Sequence, residues 1–140
     1  MTADVEYNKN LVRRYYEAAT GDLGKMDQII TASYVDHHFP PTLPPGPEGA
    51  RQFFTNVLGS VFGNMRIEHY DLAAEEDKVY CYFALLATHI GEFAGIAPSG
   101  KELVIPAVSH FRVVDGKLAE GWEIFDSGAL LQQMAANHAG

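Results

Sequence analysis

The sequence predicts one α+β domain over residues 1–140, and three observations carry that expectation. Apolar residues recur at three- and four-residue spacing in the first part of the chain and alternate in the second, so helices precede strands. Hydrophobic residues make up 47% of the chain, with eight Phe, seven Tyr and one Trp, a content that disordered chains do not have. A domain of this length also buries about two thirds of the surface its unfolded chain exposes, so it needs no staple.

The elements follow in order. Leu11, Val12, Tyr15, Tyr16 and Ala19 share one face of a helix predicted over 5–20 and stopped at Gly21. A short second helix is predicted over 25–30. Tyr34 to His38 has β-branched and aromatic character and runs into the proline-rich stretch Phe39 to Pro47, read as an ordered loop or lid. Pro47 and Glu48 open a third helix, whose Ala50, Phe53, Phe54, Val57, Leu58, Val61 and Phe62 form a broad apolar stripe. Strands are predicted over 65–74, 79–89, 102–114 and 117–126, and a short last helix over 127–137. The glycine-rich loop between the second and third of these strands, 91–100, joins strand to strand and lacks a Gly-Lys-Ser/Thr ending, so it is no phosphate cradle.

The formal charge of -8 arises from eighteen acids among ten bases, with no basic stripe to neutralise phosphates, so nucleic acid is not an expected partner. Cys81 stands alone, which excludes an internal disulfide and predicts a buried thiol in a reducing, cytoplasmic setting. No secretory leader and no stretch of eighteen apolar residues is visible, so no membrane is expected.

Several side chains are candidates for chemistry. The turn around Asp115-Gly116 decides which of them meet. A three-residue loop places Val113 opposite Lys117, Ser109 opposite Gly121 and His110 opposite Glu120, so that Ser109, Phe111, Gly121, Glu123 and Phe125 share a face. A two-residue loop brings His110 and Arg112 to the face of Glu123 instead. Asp36 is either a carboxylate on an apolar wall, suited to proton abstraction, or a cap for the turn that follows it. Cys81, Phe83, Leu85, Ala87 and His89 share the odd face of their strand, with His89 as one polar group at its end. His37 and His38 are adjacent and face opposite ways, so only one looks inward, and a metal site is not expected. Tyr16 is expected to reach the pocket with its hydroxyl. Phe53 belongs to the aromatic set that is both core and pocket wall.

The segments Leu11-Val-Arg-Arg-Tyr-Tyr-Glu, Tyr34-Val-Asp-His, Gly46-Pro-Glu-Gly, Thr88-His-Ile-Gly-Glu-Phe and Val114-Asp-Gly-Lys resemble, in order and spacing, the SnoaL-like polyketide cyclases of the NTF2-like superfamily. The resemblance implies a cone-shaped barrel in which a strongly bent antiparallel sheet, three helices from the N-terminal half and a short C-terminal helix enclose a hydrophobic pocket. It implies a homodimer. It further implies ring closure of an aromatic polyketide ester by intramolecular aldol addition, without a cofactor. Counting from Asp-Gly-Lys, the resemblance favours the three-residue loop and puts Glu123 at the catalytic aspartate of the cyclases and of limonene epoxide hydrolase, as acid or base. Asp36 aligns with the general base of ketosteroid isomerase. Ser109 stands where the cyclases carry a catalytic histidine, which is a departure. Phe83 and Leu85 occupy the positions where limonene epoxide hydrolase needs an Arg and an Asp, so that triad is absent.

The expected function is therefore cofactor-free acid–base catalysis on a small hydrophobic substrate, with catalytic Glu123, Asp36 and Ser109. The expected pocket wall comprises Tyr16, His38, Phe53, Phe83, Leu85, His89, Phe111 and Phe125. An isomerase, dehydratase or hydrolase on the same scaffold, or a binding module, is the alternative. A second copy of the chain is expected on the outer face of the sheet, over Val108, Trp122 and Ile124.

Overall fold

The computed structural model describes residues 4–139. Helix α1 spans Val5–Ala19; Asp4 caps it by accepting the Tyr7 backbone N–H at 2.9 Å, and Leu11, Val12, Tyr15, Tyr16, Ala18 and Ala19 form its buried face. A 3₁₀ turn, Leu23–Gln28, leads into β1, Ile30–Asp36. The predicted second helix is thus tighter than an α-helix and ends earlier, because Ile30 already pairs with Leu118.

Helix α2, Gly46–Gln52, starts after the proline loop and continues as a wider turn, Phe53–Leu58, closed by Gly59 donating to the Phe54 carbonyl at 3.1 Å. The stripe expected to stay helical to Phe62 does not. Phe62 opens β2, Phe62–Glu75, because the Val61 carbonyl accepts from both Ile90 at 2.8 Å and Gly91 at 3.1 Å, which commits this stretch to the sheet.

Three further strands follow: β3, Lys78–His89, β4, Glu102–Val114, and β5, Lys117–Phe125. The sheet order is β1-β5-β4-β3-β2, antiparallel throughout except that β1 runs parallel to β5. Register shifts in β2 between Gly63 and Arg66 and between His69 and Asp71 bend the sheet around α1 and α2. Helix α3, Ser127–Ala139, buries Leu130 and Met134 and is tied to β4 by Gln133, whose side chain bonds both the N–H and the carbonyl of Val104 at 2.8 and 2.6 Å.

The β4–β5 hairpin departs from the expected turn. Asp115 and Gly116 are both left-handed, with φ of 51° and 78°, and form a two-residue loop that sets Val114 opposite Lys117. That loop alone would turn Glu123 to the outer face. Ala119 has no partner, however, since Val113 pairs with Leu118 and Arg112 with Glu120. This one-residue bulge restores the inward face, so Ser109 lies directly opposite Glu123 and Phe111 opposite Gly121. The expected His110–Glu120 pair is replaced as well. His110 faces Trp122 and is stacked between it and Tyr80, with ring centroids at 4.7 and 4.4 Å, while Glu120 binds His37 and Arg112 at 2.7 and 2.9 Å.

Candidate active site

The concave side of the sheet, α1, the wider turn Phe53–Leu58 and α3 enclose a cavity of about 250 Å³. Aromatic and aliphatic side chains make most of its wall, and the polar groups Tyr16, Asp36, His38, Ser109 and Glu123 join them. Phe53, Phe83, Leu85, Phe111 and Phe125 line the cavity. No lysine or arginine lines it among the described residues.

Each polar side chain is placed by its element. Glu123 and Ser109 are cross-strand neighbours because of the Ala119 bulge. Tyr16 comes from the buried face of α1 and donates its hydroxyl to Ser109 Oγ at 2.9 Å. Asp36 sits at the C-terminal end of β1, in register with Gly121. Its Oδ1 accepts the His38 backbone N–H at 2.9 Å, and its Oδ2 accepts the Tyr34 hydroxyl at 2.7 Å. Asp36 thus does both jobs that the sequence left open, capping the turn with one oxygen and presenting a carboxylate to the cavity. Of the two adjacent histidines, His38 turns inward, its Nε2 lying 3.6 Å from Glu123 Oε2, and His37 turns outward to stack on Trp122 at 5.0 Å.

The electrostatics separate these groups. Burial pushes the Glu123 carboxyl up to about 8, the negative charge of Asp36 pushes in the same direction, and Tyr16 offsets part of the rise. Glu123 is therefore mostly protonated at neutral pH and able to donate. Burial lowers His38, with Asp36 opposing, so its imidazole is largely neutral. Tyr16 and Tyr34 are raised well above the ordinary tyrosine range, chiefly by burial, and act as hydroxyl donors. Cys81 is buried, and desolvation lifts its thiol to about 12, which keeps it from acting as a nucleophile.

His89 is a correction. It lies outside the cavity lining, paired across β2 and β3 with Phe62, and is fully buried with no hydrogen-bond partner for either ring nitrogen among the described residues. Tyr34 and Gly121 were missed as site residues, although Tyr34 stands two positions from Asp36 on one face of a strand. Trp122, expected only on the outer face, also contributes to the cavity wall. No group of three His, Cys, Asp or Glu among the described residues is placed to hold a metal ion.

Comparisons with known proteins agree with this architecture. Solved structures similar over most of their length include the following three. TsrD of Streptomyces laurentii is 24% identical, with 96% of this chain and 98% of that chain covered and a TM-score of 0.82. IdmH of Streptomyces antibioticus, a candidate polyketide cyclase, is 28% identical over 91% of this chain and 98% of its own, with a TM-score of 0.77. AclR of Streptomyces galilaeus, a candidate hydroxylase, is 25% identical over 95% and 83%, with a TM-score of 0.76. No curated protein matches the sequence significantly. The family model for SnoaL-like polyketide cyclases matches residues 9–134, nearly the full length of the fold that carries the cavity. On that match, and with a bent five-stranded sheet wrapped around an apolar pocket, the chain belongs to the SnoaL-like polyketide cyclase family.

Proposed function

We propose that this protein is an acid–base enzyme that closes a ring in a small, hydrophobic, polyketide-derived substrate by intramolecular aldol addition, using no cofactor. The observation that carries the reading is that Glu123 and a hydrogen-bonded Asp36 line one apolar cavity, where burial raises Glu123 to about 8. In the proposed step Asp36 takes a proton from the carbon next to a substrate carbonyl. The resulting enolate carbon attacks a second carbonyl carbon, and the oxygen of that carbonyl takes the proton of Glu123. Ser109, whose Oγ accepts the Tyr16 hydroxyl, keeps its own hydroxyl hydrogen to donate to the polar end of the substrate. A wall without cationic side chains favours a neutral substrate over a free carboxylate.

A second reading, double-bond isomerisation, is favoured by Ser109 at the position where the cyclases carry histidine. The same two carboxyl groups then move a proton between two carbons of one substrate. ¹³C NMR of the product separates the readings, because only aldol addition creates a new carbon–carbon bond and a carbinol carbon.

The test uses a panel of neutral aromatic polyketide methyl esters that bear a 1,3-dicarbonyl side chain. Glu123→Gln keeps the shape and loses the transferable proton. Turnover is expected to fall about a hundredfold or more, while ligand binding, read from the fluorescence of the single tryptophan Trp122, changes little. Normal turnover in both Glu123→Gln and Asp36→Asn would overturn the roles given to the two carboxyl groups, and no turnover by the parent on any ester of the panel would leave a binding module. We further propose that a second copy of the chain covers the outer face of the sheet, where Val108 and Ile124 are 48% and 80% exposed.

A further inference from the structure

Gly121 has no conformational reason to be glycine, since its φ is outside the left-handed region in which Gly46, Gly95, Gly100 and Gly116 lie. Space supplies the reason. A Cβ at this position would fall inside van der Waals contact of the Tyr34 hydroxyl, 3.0 Å from Asp36 Oδ2 and 3.2 Å from the Phe111 ring. The parallel pairing of β1 with β5 brings Asp36 and Gly121 into register, and His37 fixes that register by donating its backbone N–H to the Gly121 carbonyl at 2.8 Å. The empty side-chain position on β5 is thus where the Tyr34 hydroxyl meets Asp36.

We propose that Gly121 and Tyr34 are positioning residues: the space left by Gly121 seats the Tyr34 hydroxyl, which holds the Asp36 carboxylate in its place beside Glu123. Tyr34 is 1% exposed and packed against Tyr15 and Phe39, with ring centroids at 6.3 and 6.5 Å, so its hydroxyl has one place to go. With Oδ2 taken by Tyr34 and Oδ1 by the His38 N–H, the carboxylate cannot rotate without losing a hydrogen bond. This fixes the carboxyl group whose charge adds to burial in raising Glu123. The proposal rests on the acid–base reading for its purpose and on packing for its existence, and the two are tested separately.

The packing is tested by thermal melts of Gly121→Ala, Tyr34→Phe and the double variant. Gly121→Ala alone is expected to melt lower by about 5 °C or more. The double variant is expected to recover part of that loss, because Tyr34→Phe removes the atom that the new methyl group strikes. A double variant no more stable than Gly121→Ala would overturn the seating of Tyr34.

The positioning is tested by NMR titration of ¹³C-labelled glutamate side chains in the full-length protein, with the Glu123 signal assigned by its loss in Glu123→Gln. In Tyr34→Phe the Glu123 midpoint is expected to fall by about one pH unit, since Asp36 is no longer held beside it as a fixed anion. An unchanged midpoint would sink the positioning role even if Gly121→Ala failed to fold. Neither measurement needs turnover, so a missing cyclase activity would count against the proposed function and not against this arrangement.

Discussion

At the scale of single residues, the character of the site comes from placing two carboxyl groups on the wall of one largely apolar cavity and giving them unequal company. Asp36 receives two hydrogen bonds, whereas Glu123 is raised to about 8 by burial and by Asp36. The sign for stability follows. The folded chain holds a proton on Glu123 that the unfolded chain releases above about 4.5, so this contribution is complete below that pH and is lost as pH rises toward about 8. Glu123→Gln is therefore expected to flatten the decline and to be more stable than the parent above pH 8 by more than about 1 kcal/mol. Urea melts at a series of pH values measure it, and parallel stability profiles for the two proteins would contradict the raised value. If Glu123 is the acid of the reaction, the rate falls over the same upper range of pH.

At the scale of elements, alternation left two registers open for β4 and β5, and the family resemblance favoured the one in which Ser109, Phe111, Glu123 and Phe125 face inward together, as they do. The route to that face was not legible. A two-residue turn and a bulge at Ala119 sum to the same parity as a three-residue turn, and nothing local in Lys117-Leu-Ala-Glu distinguishes them. The helix-to-strand boundary at Phe62 was hidden for a related reason, because Val61 and Phe62 fit the helical stripe and only the distant Ile90 and Gly91 draw them into the sheet. His89 read as a pocket group because its strand face is the cavity face, yet at that end of the sheet its cross-strand partner Phe62 lines the cavity and His89 does not. Deleting Ala119 tests the bulge directly. The inward and outward residues beyond it would exchange, exposing Phe125 and burying Ile124, at a cost of about 3 kcal/mol or more. A circular-dichroism melt close to that of the parent would show that β5 tolerates either register.

At the scale of the molecule, the outer face of the sheet is apolar in a way a lone domain does not require. Tyr80, Tyr82, Val104, Val108 and Ile124 are all exposed there, beside the stacked row Tyr80, His110, Trp122 and His37. Light scattering is expected to return twice the mass of the 15.4 kDa chain, and Ile124→Glu to return the single chain without loss of fold. A 15.4 kDa particle for the parent at micromolar concentration would remove the claim. The strand order has one more consequence. Since β1 pairs only with β5, the strand that carries Asp36 is made early and its partner late, with the whole β2–β3–β4 meander translated between them. A nascent chain halted before β5 has Asp36 and no Glu123, and an open strand edge in place of a pocket. The site is closed by the last strand to leave the ribosome, so ligand binding reports completed synthesis of the sheet and cannot guide its earlier steps.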